Sequence, residues 1–188
     1  DDDNDIIYGD LGNDTISGGN GSEFPIGSLG EQDLIFGNRG NDVINGNEGN
    51  DTIYAGKDDD IAFGGKDDDL IYGDRGNDTV IGDLGNDIIF GGVSDINVGD
   101  EDGRDLLYGG DGNDFLNGNE NNDTVVGGAG NDTAHGGKDD DLIYGNEGND
   151  LLFGDRGNDT ISGGSGSLNP VGSGIDDDLI FGNRGNDI

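Results

Sequence analysis

The chain has 188 residues, of which 42 are Gly and 43 are Asp or Glu, and a formal net charge of -35 at pH 7. Only 29% of it is hydrophobic, which leaves two options: disorder, or a fold whose cohesion comes from bound cations. The negative field argues against nucleic acid and anionic membrane as direct partners, no apolar run is long enough for membrane insertion, and the absence of Cys excludes disulfides and thiolate metal sites.

Spacing decides between the two options. From Gly9-Asp10-Leu11-Gly12-Asn13-Asp14-Thr15-Ile16-Ser17 onward the chain repeats every nine residues, numbered here as positions one to nine. Position six is Asp at Asp14, Asp33, Asp42, Asp51, Asp60, Asp69, Asp78 and Asp87, then at Asp105, Asp114, Asp123, Asp132, Asp141, Asp150, Asp159 and Asp178. Position eight is aliphatic, as at Ile16, Ile35, Ile53, Val80, Leu116 and Ile180. Positions one to six carry the Gly, Asn and Asp of tight turns; seven to nine carry the β-branched and aromatic residues of a three-residue strand with position eight inward. Two units then form one coil of 18 residues, and about ten coils spaced by roughly 4.8 Å form a rod near 50 Å long.

Strings such as GGKDDDLIY (Gly64–Tyr72 and Gly136–Tyr144) and GDRGNDTVI (Gly73–Ile81) closely resemble the hemolysin-type calcium-binding, or repeats-in-toxin, nonapeptides. The resemblance covers essentially the whole chain. It implies an all-β fold, a right-handed parallel β-roll (solenoid), with calcium shared between stacked turns through Asp carboxylates and carbonyls near the Gly positions.

A constant coil of 18 residues places the Asp residues in two columns. One runs Asp14, Asp33, Asp51, Asp69, Asp87, Asp105, Asp123, Asp141, Asp159, Asp178; the other runs Asp5, Asp42, Asp60, Asp78, Asp114, Asp132, Asp150, Asp187. Stacked bare carboxylates repel. Calcium, which takes six to eight oxygens, relieves that better than magnesium, and about 11 to 15 ions are expected. The turn at Asp100–Asp105 lacks its first two glycines and should hold its ion less well. Asp58, Asp67 and Asp139 at position four, and Asp59, Asp68 and Asp140 at position five, either add outer charge or face water. Seven of the eight basic residues occupy position three (Arg39, Lys57, Lys66, Arg75, Lys138, Arg156, Arg184) and are expected to screen the acidic turns.

A longer repeat is superposed, since residues 34–92 align without gaps to 106–164 at an offset of 72. It is interrupted near 20–33, 93–104 and 165–178, where Glu23, Ile96 and Leu168 stand at position six. These breaks are expected to be local bulges where one calcium is lost or altered, and four readings stay open: a bend, a docking point for another domain, a contact with a neighbouring rod, or drift. Outward position nine carries Phe36, Tyr54, Tyr72, Phe90, Tyr108, Tyr144 and Phe181 on one expected face, either as stacking or as a surface for a neighbouring copy or domain. The opposite face is expected to carry Asn45, Phe63, Ile81, Asn117, His135 and Phe153.

The single His135 excludes a zinc protease site within these residues, and no phosphate-loop Lys-Ser/Thr element occurs. The expectation is therefore one calcium-binding array over 1–188, part of a longer secreted or cell-surface bacterial chain and not itself an enzyme. It would act as an extracellular structural or adhesive rod. The alternative is a calcium-responsive secretion and stability module of a secreted protease, lipase or toxin.

Overall fold

The computed structural model describes residues 6–9, 12, 14–19, 32–92, 103–164, 179–183, 185 and 188. Among them are seventeen strands, from Ile6–Tyr8 to Leu179–Phe181, and every strand pairing is parallel. Successive strands alternate between a nine-stranded and an eight-stranded sheet, so the chain winds as a parallel β-solenoid, one layer on each side.

Most strands run six residues, as in Thr52–Lys57 or Leu142–Glu147, and not the expected three. They extend through positions one to three because position one supplies a second inward slot. Position eight fills the core: Ile35, Ile53, Ile71, Ile89, Leu116 and Leu152 are fully buried from one sheet, and Ile44, Val80, Leu107, Val125 and Ile143 from the other. Position one is nearly always Gly. A Cβ on Gly46 would lie 2.2 Å from Asp51 Oδ2 and 2.6 Å from Gly64 O, so this slot is taken by the carboxylate of the same unit. Ala55 is a native exception, fully buried at that position. Each turn then takes two left-handed residues, at positions two and four, for example Asn47 (φ 85) and Gly49 (φ 116). The same conformation explains why Asp58, Asp67 and Asp139 are tolerated at position four, since Asp adopts it more readily than most residues.

Coil length is not constant, which corrects the expected columns. Leu106 pairs with Thr79 and Phe115 with Ile88, a step of 27 residues, while Leu34 pairs with Ile6, Val43 with Thr15 and Leu179 with Leu151, steps of 28. Everywhere else the step is 18. The step therefore exceeds one coil by nine residues at the central interruption and by ten at the other two. The sequence of 93–101 explains why: Ile96 stands where the Asp should be and Asp100 where the inward Gly should be. This unit supplies neither the sixth-position carboxylate nor the inward glycine that makes room for it. The described sheets consequently hold nine and eight strands, fewer than about ten full coils would require.

The half-coil step also re-sorts the outer faces. The rings stack continuously along the nine-stranded sheet: Tyr8, Phe36, Tyr54, Tyr72, Phe90, then Phe115, His135, Phe153 and Phe181. Most centroids lie 4.4–5.2 Å apart with planes within 9°. Tyr108 and Tyr144, expected in this ladder, belong to the other sheet; His135 and Phe153, expected opposite, belong to it. At the seam Asn117 takes the position-nine place opposite Phe90, and Phe115 from position seven bridges the gap with tilted contacts of 5.9 and 5.7 Å.

Candidate metal centre

Two turns join the sheets in every coil, and the sixth-position Asp ends each turn. With the observed register the described columns run Asp33, Asp51, Asp69, Asp87, Asp114, Asp132, Asp150 at one edge and Asp14, Asp42, Asp60, Asp78, Asp105, Asp123, Asp141, Asp159 at the other. Asp87 and Asp105, expected in one column, lie in opposite ones. Asp178, like Asp5 and Asp187, lies outside the described residues.

The columns are hydrogen-bonded ladders. The Asp33 N–H donates to Asp51 Oδ1, Asp51 to Asp69 and Asp69 to Asp87, at 2.8–2.9 Å, and the ladder crosses the interruption without loss from Asp87 to Asp114 at 2.8 Å. In the other column the Asp78 N–H donates to Asp105 Oδ1 at 2.9 Å, and Asp105 Oδ2 borders the inward face of Gly91, which supplies the glycine that Asp100 replaces in sequence. Thirteen such bonds connect the fifteen Asp residues.

Only one oxygen of each carboxylate is used this way. In fourteen of these residues Oδ2 is buried and has no hydrogen-bond partner. Burying an ionised oxygen without a partner is costly, and the titration of the ladder reflects it. Burial pushes Asp87 and Asp114 up to about 6, Asp60 and Asp132 to about 7, Asp69 and Asp141 to about 8 and Asp78 to about 9, against the N–H bond each accepts. At neutral pH such a ladder calls for positive charge at Oδ2.

The donor set fits a hard cation. Among the described residues no three His, Cys, Asp or Glu side chains group to hold a metal, so an ion on Oδ2 would complete its shell with backbone oxygens. Such oxygens are at hand: Asp51 Oδ2 and Gly64 O both border the inward face of Gly46, and the pattern recurs with Asp87 Oδ2 and Gly109 O at Gly82. Carboxylate plus carbonyl is the ligand chemistry of calcium.

The remaining polar residues stabilise the turns. Asp59 Oδ1 accepts the backbone and side-chain N–H groups of Asn77, and Asp68 those of Asn86, which holds both carboxyls below the usual range. Asn131 and Asn149 continue this position-five ladder. Lys66 pairs with Glu48 and Lys138 with Glu120 one coil away, so these two do more than screen the turns. His135 stacks on Phe153, and its Nδ1 lies 2.8 Å from Asp155 Oδ2. Sequence reasoning missed these lateral pairs because they depend on which units become neighbours.

A parallel solenoid with paired, half-satisfied Asp columns defines a calcium-binding β-roll. The RTX calcium-binding nonapeptide repeat matches residues 1–24, 29–62, 63–95, 101–134, 135–167 and 173–188, and the chain belongs to that family. Unmatched stretches at 25–28, 96–100 and 168–172 fall at the three interruptions. No curated protein matches the chain.

Proposed function

We propose that calcium, bound between successive coils by the two Asp columns, folds and rigidifies this chain as a structural or adhesive rod outside the cell. The observation that carries the reading is the continuity of both ladders across the interruption at 93–102. Each of the thirteen Asp pairs holds a buried carboxylate oxygen with no hydrogen-bond partner, in eleven of them beside a backbone carbonyl, and one ion per pair gives about thirteen ions. Their charge would offset most of the -35, so folding and binding are one event. Free calcium is scarce inside cells and plentiful outside, which fits a bacterial chain that folds after secretion to the cell surface.

Circular dichroism during a calcium titration tests this, with magnesium as control. A cooperative gain of β-structure with calcium alone is expected, with isothermal titration giving about one ion per Asp pair. Equal β content in chelator and in calcium sinks the proposal.

A further inference from the structure

The outer face of the nine-stranded sheet is uncovered among the described residues. Its ring ladder runs from Tyr8 to Phe181, beside a position-seven column that includes Leu34, Leu70, Ile88 and Leu151. Nine strands, with the longest about 20 Å, make a face of roughly 40 by 20 Å, or about 800 Å². That is the area one partner contributes to a standard interface.

Its two edges differ in charge. Arg39, Lys57 and Arg75 stand in adjacent coils where this sheet ends, with Lys138 and Arg156 further along; Lys57 and Arg75 share a groove with Phe36 and Tyr54, so the cations flank the rings on the same face. The turns at the other edge carry Glu48, Asp67, Asp68, Asp111 and Glu147, with Lys66 as their one cation among the described residues. Acids share the first edge (Asp58, Asp59, Asp74, Glu120, Asp139, Asp140, Asp155), with Asp74 and Asp155 between ring and cation in chain order, so it is close to neutral while the other edge is strongly acidic.

We propose that the calcium-loaded rod pairs through this face with a second copy of itself, the two running parallel. A two-fold axis along the rods sets the near-neutral, cation-bearing edge of each copy against the acidic edge of the other, so that the two acidic edges never face one another. An antiparallel copy would set like edges together, which opposes association. The ladder supplies the buried apolar contact, and calcium removes the repulsion that keeps the -35 chains apart. The proposal rests on calcium-driven folding, which is measured separately in the test.

The chain has no Cys, so single cysteines report unambiguously. Thr52 and Thr133 lie on this face in the third and seventh of the nine strands, at mirror heights about the fifth. The full chain carrying Thr52→Cys or Thr133→Cys is treated with a short bis-maleimide in calcium, alone and as a mixture, while sedimentation equilibrium measures mass and circular dichroism measures folding. A parallel pair cross-links each variant to itself; an antiparallel pair cross-links only the mixture and overturns the orientation. A folded monomer overturns the pairing but leaves calcium-driven folding intact, whereas failure to fold in calcium overturns both. The edge variant Lys57→Glu with Arg75→Glu should weaken dimerisation at least about tenfold without changing the calcium-induced spectrum; an unchanged dimer removes the charge argument.

Discussion

Residues 34–92 and 106–164 align without gaps in sequence, but their corresponding strands lie in opposite sheets. Leu34-Ile35-Phe36 lies in the nine-stranded sheet, while its counterpart Leu106-Leu107-Tyr108, 72 residues on, lies in the eight-stranded one. The inversion comes from one nonapeptide, 93–101, that the pairing omits. A nine-residue period specifies what each residue does within its unit: turn, strand, inward or outward. Which sheet receives the unit depends on whether an odd or even number of units has been stacked before it. Omitting one exchanges the sheets for everything downstream. In this chain the exchange joins Phe90 of the first half to Phe115, His135 and Phe153 of the second, and it keeps both Asp ladders unbroken.

The largest effect should come from repairing the omitted unit. Ile96→Asp with Asp100→Gly and Glu101→Gly restores the carboxylate and the inward glycine, so the unit should enter the stack and turn the second half over. In the native background an Ile88→Cys/Phe115→Cys pair should cross-link, because these residues are opposite one another. In the repaired chain an Ile88→Cys/Leu106→Cys pair should replace it. Persistence of the 88–115 link would show that the missing residues do not cause the step.

Charge gives the next test, and its sign reverses with calcium. Seven ladder carboxyls (Asp60, Asp69, Asp78, Asp87, Asp114, Asp132, Asp141) ionise near pH 4 in the unfolded chain but at about 6 to 9 in the calcium-free fold. The fold therefore binds more protons than the unfolded chain across that window. Without calcium its stability should be greatest below about pH 4 and should fall as pH rises through 6 to 9. Asp78→Asn, which imitates the protonated form, should stabilise the calcium-free fold at pH 7 and weaken the calcium-loaded one by about 3 kcal/mol. Thermal melts in chelator and in calcium read both signs; a shift in the same direction in both would contradict the assignment of Asp78 as a ligand.

The smallest effect concerns the seam of the ladder. Phe115→Ala removes two ring contacts and should cost about 1 kcal/mol beyond its lost area. Tyr108→Ala, on the sheet without a ring ladder, should cost less in the same melts. Equal losses would mean that stacking along the nine-stranded sheet adds nothing to simple burial.

Much of the site was legible in the sequence because its parts are local. Asp51, Thr52 and Ile53 take buried-carboxylate, outward and inward roles through spacing alone, and the inward glycine lies five residues before the Asp whose carboxylate it accommodates. The six-residue strands were less visible, since glycine at positions one and two reads as turn until its neighbour's backbone is present to pair with it.

The sequence by itself determined the unit, the parallel roll, the position-eight core and the calcium chemistry, because each follows from side-chain type repeated at a fixed interval. Tertiary structure alone decided which units are neighbours. Whether Asp87 lies against Asp105 or Asp114 depends on whether an intervening unit can fill its place in the stack. Hydrogen bonds and packing between coils settle that, and with it which face carries the rings and which edge carries the cations.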